Sequence, residues 1–265
     1  MFQEIKRALL KKSNIILFIL IVCLMLVNTY YKGWRTALLA KPSIEFTRQD
    51  DLLFFKHYYG NVFRVWSGSY YMVQALAPLI LISPYILSYY EEKKNNFRNF
   101  MTAREGRKKY LIKKIMAIAI SGTMLLAMAE LCFAIITYFF TYHDVDLEFI
   151  ENLVSYKESF FLKNPYVYFL LLFGMQTIYY FSFIVFSVGI TAMLKNKIAI
   201  IIVPFLIVGV LDMIFPSFLQ PNVVMQPLIS TNFTLYGFII MIIVYLLIGI
   251  ISYVLNENRY LKSGN

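Results

Sequence analysis

The chain has 265 residues, 60% of them hydrophobic and 15% charged, with a mean hydropathy of +0.64 and a formal net charge of +10. Soluble domains hold about 45–50% apolar residues, and several runs here exceed the roughly 18 apolar residues that mark a bilayer span. The composition therefore excludes a soluble globular domain. The charge does not point to nucleic acid, because the Lys and Arg fall between apolar runs, where membrane topology accounts for them.

The expected fold is an all-α integral membrane protein, a single domain of six spans. The tail MFQEIKRALLKK sets Phe2, Ile5 and Leu9 on one helical face and turns Lys6 and Arg7 away, which suits an interfacial elbow helix over 1–12. Spans follow at 14–31, 69–90, 112–141, 166–194, 198–217 and 233–255. The first has a basic flank but no small-x-small cleavage site after it, so it is expected to stay as an anchor. The third and fourth runs are long enough to tilt or to project beyond the hydrocarbon core. Between the first two spans, the 32–68 loop mixes Pro42, Gly60 and Gly68 with Phe54, Phe55, Tyr58 and Tyr59, and is expected to be partly ordered. The segment PSFLQPNVVMQPLIST, with Pro216, Pro221 and Pro227 and no charge, reads either as broken backbone packed against protein or as an ordinary neutral loop.

Charge orients the spans. The N-terminal tail, the 91–114 loop, the 195–197 turn and the C-terminal tail carry 17 Lys and Arg, against eight in the segments between them. Positive-inside bias places both termini in the cytoplasm of a bacterial cell, with the protein in its cytoplasmic membrane. Tyr30, Tyr31, Trp34, Trp66, Tyr70 and Tyr71 form an aromatic belt at the outer ends of the first two spans, and Tyr89 and Tyr90 mark the inner end of the second.

Several chemistries are missing. No Gly is followed by Lys, so there is no Walker A phosphate cradle. The histidines, His57 and His143, fall in expected loops, which leaves Glu91-Glu92 with Arg98 short of the partners an intramembrane metalloprotease needs. No Ser/His or Cys/His dyad can form inside the membrane, and the chain is not expected to be an enzyme. Cys23 and Cys132 lie in apolar runs and read as buried, inert thiols. Glu130 and Asp212 stand within spans, where a charge costs about 2.5–3.5 kcal/mol or more at mid-bilayer. Glu130 is open between a transport-path contact or proton relay and a packing acid, while Asp212 leans to packing. Asn28, Gln74 and Gln176 are expected to bond between helices, and Tyr179 and Tyr180 to pack. Glu130, Asp212, Gln176 and Tyr179 are the candidates for a substrate path.

The densest charge lies in the stretch SYYEEKKNNFRNFMTAREGRKKYLIKKI, residues 88–115. Within it Phe97, Phe100 and Met101 occupy i, i+3 and i+4, one face of a short helix, with Asn96, Arg98, Asn99 and Thr102 opposite. Gly106 can end that helix, and Thr102 with Glu105 has the spacing of a capping box for the next. Such a peg could lie on anionic lipid. A compact Phe-Phe-Met knob bracketed by acids suits a groove in a cytoplasmic protein better.

This segment resembles the loop between the second and third spans of ABC type-2 transporter permeases, the six-span class that includes ABCG-like and many bacterial exporter subunits. Glu91 or Glu92 matches the acid after the second span, and Phe97-Arg98-Asn99-Phe100-Met101 the amphipathic coupling helix. Thr102, Arg107 and Lys113 or Lys114 match the hydroxyl and basic residues that follow. Arg104-Glu105 departs from the pattern, where many members have a Pro-containing turn. The resemblance implies that Glu91, Glu92, Phe97, Phe100, Met101, Arg104 and Arg107 couple the chain to a separate ATP-binding subunit, present in two copies. It implies a second permease copy, identical or related. No cofactor is expected on this chain, with ATP and Mg held by the partner. By family analogy the cargo would be amphipathic or hydrophobic: antimicrobial peptides (export or immunity), lipids or drugs. The alternatives are a proton-coupled secondary transporter using Glu130, or a non-transporting membrane sensor or assembly protein.

Overall fold

The computed structural model describes residues 2–39, 49–82, 86–95, 97–145, 158–227 and 229–262, and among them every regular element is helical. α1 (Phe2–Leu9) leads into α2 (Lys12–Thr29), and the junction is fastened where the Asn14 side chain donates to the Ala8 carbonyl. A π-turn over Tyr30–Trp34 and α3 (Arg35–Leu39) carry α2 onward without a break. α4 (Gln49–Gly60) and α5 (Val62–Ile82) follow, then α6 (Ile86–Lys94), α7 (Phe97–Glu105) and α8 (Arg107–Tyr138). α9 (Glu158–Lys163) precedes α10 (Pro165–Thr191), and α11 (Lys197–Ile214) leads through a 3-10 turn at Ser217–Leu219 to α12 (Pro221–Met225) and α13 (Leu235–Lys262).

Local chemistry explains the breaks. Gly106 has φ +81°, a left-handed conformation that separates α7 from α8 and that a side chain would strain. Pro165 sits in the first turn of α10, where its missing N–H is no loss. Asn196 caps α11 by accepting from the Ile198 N–H at 2.9 Å. Pro216 stops α11 soon after Ile214.

Among the described residues, five helices are long and apolar enough to cross a membrane: Lys12–Leu39, Lys108–Tyr138, Pro165–Thr191, Lys197–Ile214 and Leu235–Asn256. The chain is a multi-pass helical membrane protein. The remaining expected span, 69–90, is divided between α5 and α6, and residues 83–85 between them lie outside the described residues, as do Gln74's side chain and the acids of 146–157. α5 nonetheless packs among the spans, against α2, α8, α10 and α11.

α10 is the centre of the bundle, in contact with α5, α8, α11 and α13. Serines and aromatics on it are buried together, from Tyr168 and Phe169 to Ser187. It meets α13 backbone to backbone: a Cβ on Gly189 would lie 2.2 Å from the Gly249 carbonyl oxygen, and one on Gly249 2.5 Å from that of Val185. Only glycine permits that approach, a mode of packing suited to helices in lipid.

The bundle has two unlike ends. At one, Tyr89 meets Tyr253 at 5.7 Å, and the Asn256 amide donates to the Ala192 carbonyl, joining the C-terminal ends of α10 and α13. The basic loops gather here. At the other, Phe63 packs on Phe161 and Phe169 at 5.4 and 5.5 Å, and Trp66 Nε1 donates to Thr137 Oγ1 at 2.9 Å. There the α4–α5 junction is laced to the segment after α8: Val62 N donates to Tyr142 O at 2.9 Å, and His57 Nδ1 on α4 lies 2.5 Å from Asp144 Oδ2.

The 32–68 segment, expected to be partly ordered, carries α3 and α4 among its described residues. Two expectations need correction. Cys23 is exposed on α2 and Cys132 half-buried, so Cys23 is no core thiol, although both are free. Thr102 and Glu105 do not start a helix: they end α7, and the N-cap of α8 is Gly106, with no side-chain cap.

Candidate functional site at the basic end

α6, α7 and the first turns of α8 form a tethered hook. Tyr110 and Lys114, one turn apart on α8, share a face directed at α6. Lys114 Nζ donates to Glu92 Oε1 at 2.5 Å and the Tyr110 hydroxyl to Glu92 Oε2 at 2.9 Å, so both carboxylate oxygens are occupied. Lys114 is 1% exposed. Losing a carboxylate partner costs most where the remaining ammonium is this far from water.

Glu91, the next residue, faces the other way. Its Oε1 accepts from Lys197 Nζ at 2.9 Å, and the Tyr90 hydroxyl donates to the Lys195 carbonyl at 2.8 Å. The hydrogen bond and charge of Lys197 hold Glu91 below the usual carboxylate range. α6 is thereby joined to α8 through Glu92 and to α11 through Glu91. A third pair closes the hook across Gly106: Lys113 Nζ donates to Glu105 Oε2 at 2.7 Å, which lowers the Glu105 pKa.

α7 lies across this frame, packed on α6 and α8. Phe100 projects from it at 62% exposure, Met101 is half-buried and Arg104 exposed. The side chains of Phe97 and Arg107 fall outside what the structure describes. Of the residues expected to couple the chain to a partner, Glu91, Glu92, Phe100, Met101 and Arg104 are thus brought to one end. The two acids serve as tethers there, Glu92 half-buried against α8 and Glu91 half exposed beside Lys197.

The intramembrane candidates do not converge on one opening. Glu130 on α8 is fully buried and accepts from the Tyr180 hydroxyl at 2.6 Å, while its Oε2 has no hydrogen-bond partner. Gln176 makes a long 3.4 Å bond to the Met225 carbonyl and leaves its own Oε1 without a partner. Tyr179 packs against Phe183 and Tyr245. Asp212 accepts from the Asn222 N–H at 2.9 Å and so satisfies one of the free N–H groups in the first turn of α12. The uncharged segment around α12 is packed against protein, with Val223, Val224 and Met225 buried.

Sequence reasoning missed Tyr110 and Lys197 as tether residues. For Tyr110 a signal existed in its helical spacing to Lys114; for Lys197, 106 residues from Glu91, there was none. Comparison with family models, curated proteins and solved structures finds no match.

Proposed function

We propose that the chain is the permease subunit of an ATP-driven exporter. It crosses the bacterial cytoplasmic membrane six times, with α5 and α6 supplying the remaining span and both termini in the cytoplasm. α7 docks on a separate ATP-binding subunit, two copies of which drive a pair of permeases and carry the ATP and Mg. The cargo is amphipathic or hydrophobic: antimicrobial peptides, lipids or drugs. The observation that carries this reading is an exposed Phe100 on a short helix bonded to α8 through Glu105–Lys113 and packed on α6, which is itself tied to α8 and α11. An apolar knob in a polar loop is unfavourable in water unless a groove receives it, and the tethers give a push on the knob two spans to act on.

The test is copurification of the tagged full chain in mild detergent, assayed for ATP hydrolysis. Phe100→Asp is expected to remove at least about nine-tenths of the associated ATPase activity, as burying a carboxylate in an apolar groove costs several kcal/mol, while membrane insertion is unchanged. Full activity in the variant, or none with the wild type, defeats the proposal.

A second reading, proton-coupled transport, is favoured by the buried Glu130 with an unpartnered oxygen beside Tyr180. It is tested in vesicles with an imposed pH gradient and no ATP, scored by proton uptake. Uptake that Glu130→Gln abolishes supports it; no uptake by the wild type removes it.

A further inference from the structure

At the end opposite the hook, a cavity of about 400 Å³ opens between the end of α2 with its π-turn and the α4–α5 junction. Its floor is polar but internally satisfied: Asn28 Nδ2 donates to the Gly68 carbonyl at 3.1 Å, and the Thr29 and Ser69 hydroxyls bond at 2.7 Å. Its other walls carry two cations, Lys32 and Arg64. The Arg64 guanidinium lies 3.7 Å from the centre of the Tyr58 ring and 5.4 Å from that of Tyr59. Among the described residues no carboxylate or carbonyl accepts from it.

A guanidinium held over aromatic rings by its charge keeps its N–H donors for a ligand. Those donors match a planar pair of anionic oxygens, and the second cation favours phosphate. The volume lies within the range of small-ligand pockets, about 300–1,000 Å³. Depth points the same way. Lys32 lies about 20 residues beyond Lys12 along the same helix, about 30 Å at helical rise, which is the thickness of the hydrocarbon core. Tyr30 and Tyr31, both exposed, flank it as interfacial aromatics do. The cavity therefore sits where headgroups lie. At Gly68 the wall has no side chain, and a Cβ there would meet nothing within 4 Å, so the space is open to an occupant.

We infer that this cavity binds the phosphate of an anionic lipid headgroup, held bidentate by Arg64 with Lys32 as the second charge. The site needs neither a motor docked at α7 nor a particular leaflet, and it stands or falls apart from the proposed function.

The full chain is reconstituted in phosphatidylcholine nanodiscs with or without phosphatidylglycerol, and separately exposed to inorganic phosphate. The readouts are thermal midpoint and lipid retained after detergent extraction. Phosphatidylglycerol is expected to be retained by the wild type and by Lys94→Gln at the other end, and to be held about tenfold more weakly by Arg64→Gln. Gly68→Leu, which fills the space without meeting neighbours at its Cβ, is expected to lose it equally. A midpoint shift with inorganic phosphate alone, lost in the same two variants, keeps the phosphate site and assigns it a soluble source. Retention in Arg64→Gln and Gly68→Leu at the wild-type level, or no response of the wild type to either probe, overturns the inference.

Discussion

Lys114 shows how much one side chain can depend on another. It is buried, and its charge is matched by Glu92, which Tyr110 also holds. Glu92→Gln is therefore expected to destabilise the chain by about 3 kcal/mol, the scale for breaking a buried pair. The double variant Glu92→Gln with Lys114→Met should recover most of that loss, because the buried charge goes too. Thermal unfolding in detergent measures both, and a double variant no better than the single one would reject the pair as the cause. The sequence showed an acid after the second span and two lysines opening the third. It did not show that Lys114 rather than Lys113 takes Glu92, because that depends on how α8 is rotated about its axis. Lys113 instead reaches back to Glu105, the residue that local spacing had assigned to a capping box.

At the scale of elements, α6 is tied on two sides, and the two ties differ in kind. The tie to α11 is the exposed pair Glu91–Lys197, with both side chains about half exposed. Such a pair contributes little, and salt screens it. Its pH dependence has a definite sign. The folded pKa of Glu91 is lowered from 4.5, so the stabilisation is present above that value and is lost as pH falls through the depressed one. The difference in thermal midpoint between wild type and Lys197→Met should be constant from about pH 6 to 8 and vanish below the carboxylate range. A difference that grew on acidification would contradict the tie. The helices themselves were legible from apolar runs and breakers: α10, α11 and α13 overlap the expected apolar runs, α13 continuing to Lys262, and Gly106 ends α7 as its freedom at positive φ suggests. α3 and α4 were not, because 32–68 has no run of helical period strong enough to stand out from its Pro, Gly and aromatic residues.

For the whole molecule, hydropathy disclosed a multi-pass bundle, and the charge count disclosed its two unlike ends. Neither could disclose which helix is central. α10 holds that place because Gly189, Ser182, Ser187 and Thr191 give it small or hydroxyl-bearing positions, with each hydroxyl bonded back to its own helix at 2.8–3.1 Å. The cavity at Arg64 was hidden for another reason: Lys32 and Arg64 belong to different elements, and their approach depends on how the π-turn aims the end of α2.

The contact between Gly189 and Gly249 also limits how the bundle can rearrange. With no side chains interposed, α10 and α13 have no slack in which to slide, and the Asn256 amide pins them again near their C-terminal ends. They form one plank. Any rearrangement of the bundle has to carry that plank undivided.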